Sequence, residues 1–87
     1  MEVFYTLRAE KDLDLLEKSI AKRIVRKVEQ YSNTTDPLAT AKILSGSMIG
    51  LYRYRVGDYR VIFEVDKSGS VIILSVLTIK HRKDVYR

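Results

Sequence analysis

The chain has 87 residues, a formal net charge of +5, 46% hydrophobic residues, one histidine and no cysteine. It is too hydrophobic for a disordered chain, it is long enough for one small core but not for a large cofactor pocket, and the lack of cysteine excludes a disulfide framework and thiolate metal sites. No stretch approaches the roughly 18 apolar residues of a membrane span, so we expect one soluble, cytoplasmic domain over residues 1–87 that needs no cofactor or metal and binds an anionic partner.

The first third of the chain predicts one strand and a pair of helices. The segment from Glu2 to Leu7 is short, β-branched and aromatic, which favours a strand. From Ala9 to about Asn33 the apolar residues recur at spacings of three and four, as on one helical face: Leu13, Leu16, Ile20, Ile24, Val28 and Tyr31. Ser19 is a candidate cap for a second segment, so we expect a helical hairpin with helices at about 9–17 and about 19–32.

The middle of the chain reads as irregular structure. The polar segment 32–37, SNTTDP, ends the second helix because Pro37 cannot continue it. Residues 38–44 have only weak helical spacing, so we expect a short turn or loop there, followed by turn residues at 45–47.

The second half predicts three strands. Tyr52, Tyr54 and Val56 alternate with Arg53 and Arg55, and after a tight turn at 56–58 the odd residues 59–65 share a face opposite the even residues 60–66. Residues 67–70 mark a second turn, and 71–79 is apolar on both faces, which predicts a central strand covered on two sides. The predicted fold class is α+β: an N-terminal strand, a helical hairpin, then an antiparallel three-strand meander forming a small twisted sheet with helices on one face.

The excess positive charge is confined to two segments of this second half. Residues 50–60 carry three basic groups and one acidic group, and residues 80–87 carry four and one, whereas residues 1–49 carry eight and seven. In the first segment, LYRYRVGDYRVIF at 51–63, arginines alternate with tyrosines. Planar guanidinium groups bind phosphate and flat rings stack on bases, so this pattern favours a nucleic-acid contact.

The arginines also have a simpler interpretation. Arg53 and Arg55 fit the solvated face of an ordinary antiparallel sheet. Arg60 fits it less well because Ile62 shares its face. Three arginines on neighbouring strands repel one another, which a bound anion would relieve. We expect the basic tail, residues 80–87, to meet the hairpin at one end of the sheet and complete a basic concavity.

The tail contains the one histidine. Histidine changes charge near neutral pH, which makes His81 a candidate for proton transfer, although a lone histidine is more often a bystander. Charged C-termini commonly serve only solubility, but Val85 and Tyr86 give this one an apolar and aromatic anchor. The sequence contains no serine–histidine–acid set, glycine-rich phosphate loop or metal-spaced carboxylates.

The segments RVGDYRVIFEV at 55–65 and HRKDVYR at 81–87, after a strand and a helical hairpin, resemble the RelE/ParE toxin superfamily and specifically its RelE branch. The resemblance covers nearly the whole chain, and the first segment is its most specific part. RelE-type toxins are the toxic half of a toxin–antitoxin pair that enters the ribosomal A site and cuts messenger RNA without a metal. In that reaction the 2′-hydroxyl attacks the adjacent phosphate, which requires a base, cations for the pentavalent phosphate and an acid.

The resemblance implies roles for particular residues. Arg60 matches the family's arginine on the strand after the turn, Arg53 matches a basic residue before it, and Tyr86 matches the C-terminal tyrosine that stacks on a base or orients the substrate. Many members carry a second basic residue where this chain has Leu51. The alignment leaves open whether Lys80, His81 or Arg82 fills the family's basic tail position. The resemblance implies four catalytic residues, Arg53, Arg60, His81 and Tyr86, and four RNA-binding residues, Arg55, Lys80, Arg82 and Lys83.

Three functions follow as hypotheses. The first is a ribosome-dependent mRNA endonuclease whose partners are the ribosome, the message and a neutralising antitoxin in a hetero-oligomer, with no membrane partner. The second is a ParE-like inhibitor that binds a protein such as DNA gyrase and cleaves nothing. The third is a degenerate toxin that keeps only antitoxin binding. Arg60, the basic tail and Tyr86 favour the first, because a protein-binding relative needs no such set.

Overall fold

The sheet of this protein is built from five strands. The computed structural model describes residues 1–69 and 71–83. In chain order the elements are β1 Glu2–Tyr5, α1 Leu7–Asp14, α2 Lys18–Ser32, β2 Lys42–Ile43, a 3-10 turn Gly46–Met48, β3 Tyr52–Val56, β4 Tyr59–Ser68 and β5 Val71–His81. The strands lie in the order β1-β5-β4-β3-β2, with β1 parallel to β5 and every other pair antiparallel. The predicted α+β fold is confirmed, including the helical hairpin and the meander of β3, β4 and β5.

Thr6 joins the first strand to the first helix. Its amide donates to the Val76 carbonyl at 3.0 Å and its hydroxyl donates to the Leu77 carbonyl at 2.9 Å, so it continues the pairing with β5. The same hydroxyl accepts a hydrogen bond from the Ala9 amide at 3.1 Å, which caps α1. The first strand is therefore shorter than predicted, and α1 begins at Leu7, two residues before the predicted start.

The boundary between the helices also differs from the prediction. Ser19 was expected to cap α2, but the helix begins at Lys18, and Glu17 at the N-cap position makes no side-chain cap hydrogen bond. The cap prediction is wrong because α1 already ends at Asp14, and the N-cap position of α2 falls at Glu17, two residues before Ser19.

One face of the sheet packs on the helices and forms the core. Ala9, Ile24 and Val28 of the helices are buried against the strand residues that alternate toward them: Tyr54, Val56, Val61, Phe63, Leu74, Val76 and Ile79. The Tyr54 ring lies 4.4 Å from Phe63 between centroids, and its hydroxyl donates to the Pro37 carbonyl at 2.7 Å. Burial raises the pKa of Tyr54 to about 12, so this phenol stays neutral and holds the segment after α2 against the core.

Two further sequence-based expectations are corrected. Residues 38–44 include the short strand β2, which pairs with β3 and forms the far edge of the sheet. The strand β5 is central in the sheet, but the helices described here cover only one of its faces. On the other face Ile73 is only half-buried, between its cross-strand neighbours Glu2 and Asp66. Apolar residues on both faces of β5 thus reflect shielding by neighbouring side chains rather than a second layer.

The second turn is shorter than predicted, because β4 continues through Ser68. Gly69 occupies the turn with a φ of +63°, and Ser70 lies outside the described residues. Within the described part of the chain, no helix is long and apolar enough to cross a membrane.

Beyond the end of β1, Asp12 of α1 accepts hydrogen bonds from β5. Its Oδ2 accepts hydrogen bonds from the Thr78 hydroxyl at 2.6 Å and the Ile79 amide at 3.0 Å. Its other oxygen lies 3.3 Å from Arg8 Nε, one turn earlier in α1. Burial alone would raise the pKa of Asp12, but these hydrogen bonds and the Arg8 charge lower it below its usual value. The first helix is therefore fastened to the strand that leads into the basic tail.

Candidate functional site

Three cations stand side by side on the sheet face that points away from the helices. Arg55 of β3 lies directly opposite Arg60 of β4, and Arg60 lies directly opposite Lys80 of β5. Directly opposed residues of antiparallel strands share a face at close range. The two-residue turn that brings the arginines together contains Gly57 with a φ of +59°, a conformation that suits glycine.

A second row of side chains lies beside the first. Lys42, Arg53, Ile62 and Thr78 are successive cross-strand partners from β2 to β5. Ile62 is only 4% exposed although the helices lie on the other face. The Nη1 atom of Arg53, which is the cross-strand partner of Ile62, and the Nε atom of Arg60 are themselves buried. Ile62 is therefore one of several buried groups on this basic face.

A bulge in β5 decides which tail residue joins the arginines. Phe63 pairs with Val76, but the next residue of β4, Ile62, pairs with Thr78, so Leu77 is left without a cross-strand partner. The shift of one residue exchanges the faces of everything after it. Lys80 therefore stands on the same face as Arg60. Strict alternation from Val76, without the bulge, would have placed Ile79 and His81 on that face instead.

His81 lies on the other face. It is the cross-strand partner of Tyr59, and the two rings meet edge to face with 5.2 Å between centroids. Its Nδ1 accepts a hydrogen bond from the Lys83 amide at 3.2 Å. The structure does not bring His81 to Arg60.

The first residue after β5 stays beside the β3–β4 hairpin. The Arg82 amide donates to the Asp58 carbonyl at 2.7 Å, which continues the register of Tyr59 and His81 by one residue, and Arg82 Nε lies 3.5 Å from the Asp58 carboxylate. Arg82 and Lys83 thus lie beside Arg55 and Arg60, where the four residues line a groove of about 330 Å³. We call it the basic groove; none of these four described residues is acidic.

A neighbouring groove of about 280 Å³ shares Arg60 with the basic groove. The residues that line it are Lys42, Ile43, Leu44, Ser45, Met48, Arg53 and Arg60. Sequence reasoning missed Lys42, because it lay in a segment expected to be a loop; only its pairing with Arg53 places it on this face. The predicted sites Arg53, Arg55, Arg60, Lys80, Arg82 and Lys83 thus come together, whereas Tyr86 lies outside the described residues.

The concavity on the helix side has a different character. It measures about 310 Å³ between β1 and α2, and its lining residues are Met1, Val3, Tyr5, Val25, Glu29, Ser32 and Asn33. Burial, with a smaller effect of the nearby Glu29 charge, raises the pKa of Tyr5 to about 12. A mostly apolar surface with a carboxylate does not suit a phosphate, so the basic groove is the candidate site.

The basic groove can bind phosphates and stabilise negative charge that develops on one of them. Guanidinium groups donate in a planar fork to phosphate oxygens, and Arg60, at the junction of both grooves, has cations on either side. The described residues of the groove supply cations but no carboxylate or neutral imidazole that would act as a base. Binding and charge stabilisation are therefore what this surface offers by itself.

Comparison with known proteins identifies the class of protein to which this fold and groove belong. Residues 3–86 match the family described as the ParE toxin of the type II toxin–antitoxin system parDE. The chain is 28% identical over 88 residues to toxin RelG of Mycobacterium tuberculosis (strain ATCC 25618 / H37Rv), which covers 98% of this chain and 94% of the relative.

Solved structures agree. The RelB–RelE antitoxin–toxin complex from Methanococcus jannaschii matches at 34% identity with a TM-score of 0.66, covering 95% of this chain and 94% of that chain. The RelBE2 toxin–antitoxin complex from Mycobacterium tuberculosis matches at 26% identity with a TM-score of 0.80, covering 93% and 90%. The chain belongs to the RelE/ParE superfamily of type II toxins, and its relatives put it in the RelE branch.

Proposed function

We propose that this protein is a ribosome-dependent mRNA endonuclease that cuts the message in the ribosomal A site and so arrests translation. The observation that carries the proposal is the row of Arg55, Arg60 and Lys80, extended by Arg82 and Lys83 into one groove. Four cations line the groove and Lys80 stands beside Arg60 on the same face, which matches a polyanionic substrate rather than a neutral protein surface. Action on ribosomes implies a cytoplasmic location.

The geometry suggests how the work is divided. Attack of a 2′-hydroxyl on the adjacent phosphate forms a P–O bond, breaks the bond to the leaving 5′-oxygen and gives a cyclic phosphate. Arg60, which lines both grooves, stabilises the added charge on the pentavalent phosphate. Arg55 and Arg53 hold neighbouring phosphates along the strand, and Tyr86 stacks on a base.

The basic tail position of the family has two candidates on the correct face. Lys80 is the cross-strand partner of Arg60, and Arg82 lines the groove with it. His81, the third candidate, packs on Tyr59 across the sheet. We therefore assign the tail role to Lys80 and Arg82 together, and we do not assign the proton donor to His81.

Dependence on the ribosome follows from what the described groove offers. A set of cations without a strong base accelerates the reaction little until the 2′-hydroxyl and the phosphate are held in line. The ribosome fixes the message in the A site and would supply that geometry. We expect free RNA to be a poor substrate.

We also propose that the chain is neutralised by a cognate antitoxin in a hetero-oligomer. Relatives of this chain from Methanococcus jannaschii and Pyrococcus horikoshii were solved as complexes of RelE with RelB. An amphipathic segment that carries carboxylates would cover the basic groove and block entry of the message.

One observation favours a second function. The family that matches the chain is described by its ParE member, and ParE-like toxins inhibit a protein target such as DNA gyrase. Two assays on one preparation separate the functions: an in vitro translation reaction followed by primer extension on the message, and a gyrase supercoiling reaction. We expect cuts in the message and normal supercoiling. Inhibited supercoiling with an intact message would replace the proposal by the second function, and neither effect would indicate a degenerate toxin.

A further inference from the structure

We infer that Asp58 is a positioning residue that holds Arg82 and Lys83 over the basic groove. Its backbone carbonyl accepts the Arg82 amide at 2.7 Å, and its carboxylate lies 3.5 Å from Arg82 Nε. The amide contact continues the register of β4 and β5 by one residue beyond the pair Tyr59 and His81, and the carboxylate contact adds a restraint on the Arg82 side chain where β5 ends. The inference rests on the proposed function only for its effect on cleavage, because the placement of Arg82 is measurable without it.

Asp58 is itself held in a fixed place. It follows Gly57 in the two-residue turn between β3 and β4, and Arg23 of α2 packs against that turn from the helix side. Arg23 Nη1 would lie only 3.4 Å from a Cβ atom placed on Gly57. The exposed hairpin tip thus has Arg23 of α2 on one side and Arg82 on the other. A contact from this tip restrains Arg82 at the end of β5.

The side chain of Arg82 depends on its contact with Asp58 for its position, whereas a core side chain is held by packing on all sides. The side chains of Arg82 and Asp58 are 54% and 61% exposed, so little packing restrains them. An exposed ion pair contributes modestly, and its loss changes a rate by about two- to fivefold. The effect is small but has a distinctive sign.

The direction of the change in kcat and KM distinguishes a positioning role of Asp58 from a purely electrostatic one. Asp58 brings a negative charge close to a groove formed by Arg55, Arg60, Arg82 and Lys83. Through charge alone, its removal would strengthen the binding of RNA and leave the reaction unaffected or faster. As a positioning residue, its removal lowers kcat while KM stays the same or falls.

The test compares Asp58→Asn and Asp58→Lys with a matched control, Asp66→Asn. Asp66 is an exposed carboxylate near the other end of β4 and makes no described contact with Arg82. Asp66→Asn therefore removes the same charge as Asp58→Asn but leaves the contacts of Arg82 in place. Rates are measured on ribosome-bound message with each purified toxin. The Arg82 Nε–Hε signal, assigned by its loss in Arg82→Lys, is followed by ¹⁵N NMR in the free protein.

We expect Asp58→Asn to lower kcat about two- to fivefold with unchanged or lower KM, Asp58→Lys to lower it further, and Asp66→Asn to leave it unchanged. The Arg82 Hε signal should shift and exchange faster with water in both Asp58 variants and stay unchanged in Asp66→Asn. An Arg82 signal that does not respond to Asp58→Asn would overturn the inference, as would a shifted signal with wild-type kcat. If the wild-type protein cuts nothing while the Arg82 signal responds, the proposed function fails and the placement of Arg82 by Asp58 stands.

Discussion

Lys80 stands directly opposite Arg60, and it does so because Leu77 is bulged out of β5. Without the bulge the residue opposite Arg60 would be the apolar Ile79. The bulge therefore adds a third cation to the row that Arg55 and Arg60 begin. Adjacent like charges on a sheet are destabilising on their own, so this row favours an anionic ligand over the empty groove.

Arg60→Ala should remove most of the cleavage activity while the protein stays folded. The loss of one cation that acts in the transition state costs about 2–4 kcal/mol, or roughly 30- to 1000-fold in rate. Arg26→Ala is the matched control, because Arg26 is an exposed arginine of α2 on the opposite side of the sheet. Single-turnover cleavage of ribosome-bound message gives the rate. A folded Arg60→Ala protein that cuts as fast as wild type would falsify the role, and a large fall in melting temperature would indicate a structural role instead.

Deletion of residues 83–87 should abolish cleavage and leave antitoxin binding largely intact, because we expect the antitoxin to be anchored on the helices and the sheet and only to extend over the groove. The deletion removes Lys83 from the basic groove and also removes Tyr86. Lys83→Ala serves as the companion variant, because it changes the groove without shortening the chain. The measurements are translation arrest in vitro and the affinity for purified antitoxin. A truncated, folded protein that still arrests translation would contradict this prediction.

Asp12→Ala should lower the free energy of unfolding by about 1–3 kcal/mol at neutral pH, because two partly buried donors lose their acceptor. The donors are the Thr78 hydroxyl and the Ile79 amide. Asp14→Ala, an exposed carboxylate of the same helix, is the control and should change stability little. Denaturant unfolding followed by circular dichroism measures both.

The contribution of Asp12 should also depend on pH with a definite sign. Its pKa is lowered in the folded protein, so its stabilising effect is complete above the unfolded value of about 3.9 and declines as the pH falls through the folded pKa. The difference in stability between wild type and Asp12→Ala should therefore be constant near neutrality and shrink in acid. A difference that grows in acid would show that the hydrogen bonds do not favour the charged carboxylate.

Association with the antitoxin should slow as salt is added. The groove and tail hold the positive charge that an acidic segment would approach, and salt screens this attraction beyond a Debye length of about 8–10 Å. Association rates measured by stopped flow between about 50 mM and about 500 mM salt give the dependence. Arg55→Ala should flatten the slope and Arg26→Ala much less. A rate that ignores salt in the wild-type protein would mean that the antitoxin recognises mainly apolar surface.

The faces of β3 and β4 could be predicted because strict alternation has a period of two. Tyr54 and Phe63 in the core and Arg55 and Arg60 outside it follow directly from that pattern. The strand β2 could not be predicted, because two residues are too few to show any period. Thr6 did carry a readable signal for the start of α1, a hydroxyl three residues before Ala9, but the β-branched run around it predicted a longer strand.

The tail of the site was predictable in composition but not in geometry. The sequence left Lys80, His81 and Arg82 as alternatives, because which of them faces Arg60 depends on the count of residues between Phe63's partner and the end of β5. The bulge at Leu77 changes that count by one, and no glycine marks it in the sequence. The hydrogen-bond register of β4 and β5 determines that Lys80 lies on one face and His81 on the other, and the composition of the tail does not reveal that register.

The most direct test of the central claim is to compare cleavage of one message free in solution and bound in the A site of the ribosome. Purified wild-type protein is added to each, and the positions of the cuts are mapped by primer extension. The 3′ ends are then tested for a cyclic phosphate by enzymatic removal of that group. We expect cuts within the A-site codon that leave a 2′,3′-cyclic phosphate, and little or no cleavage of the free RNA. An intact ribosome-bound message, with the protein folded and present in excess, would contradict the account.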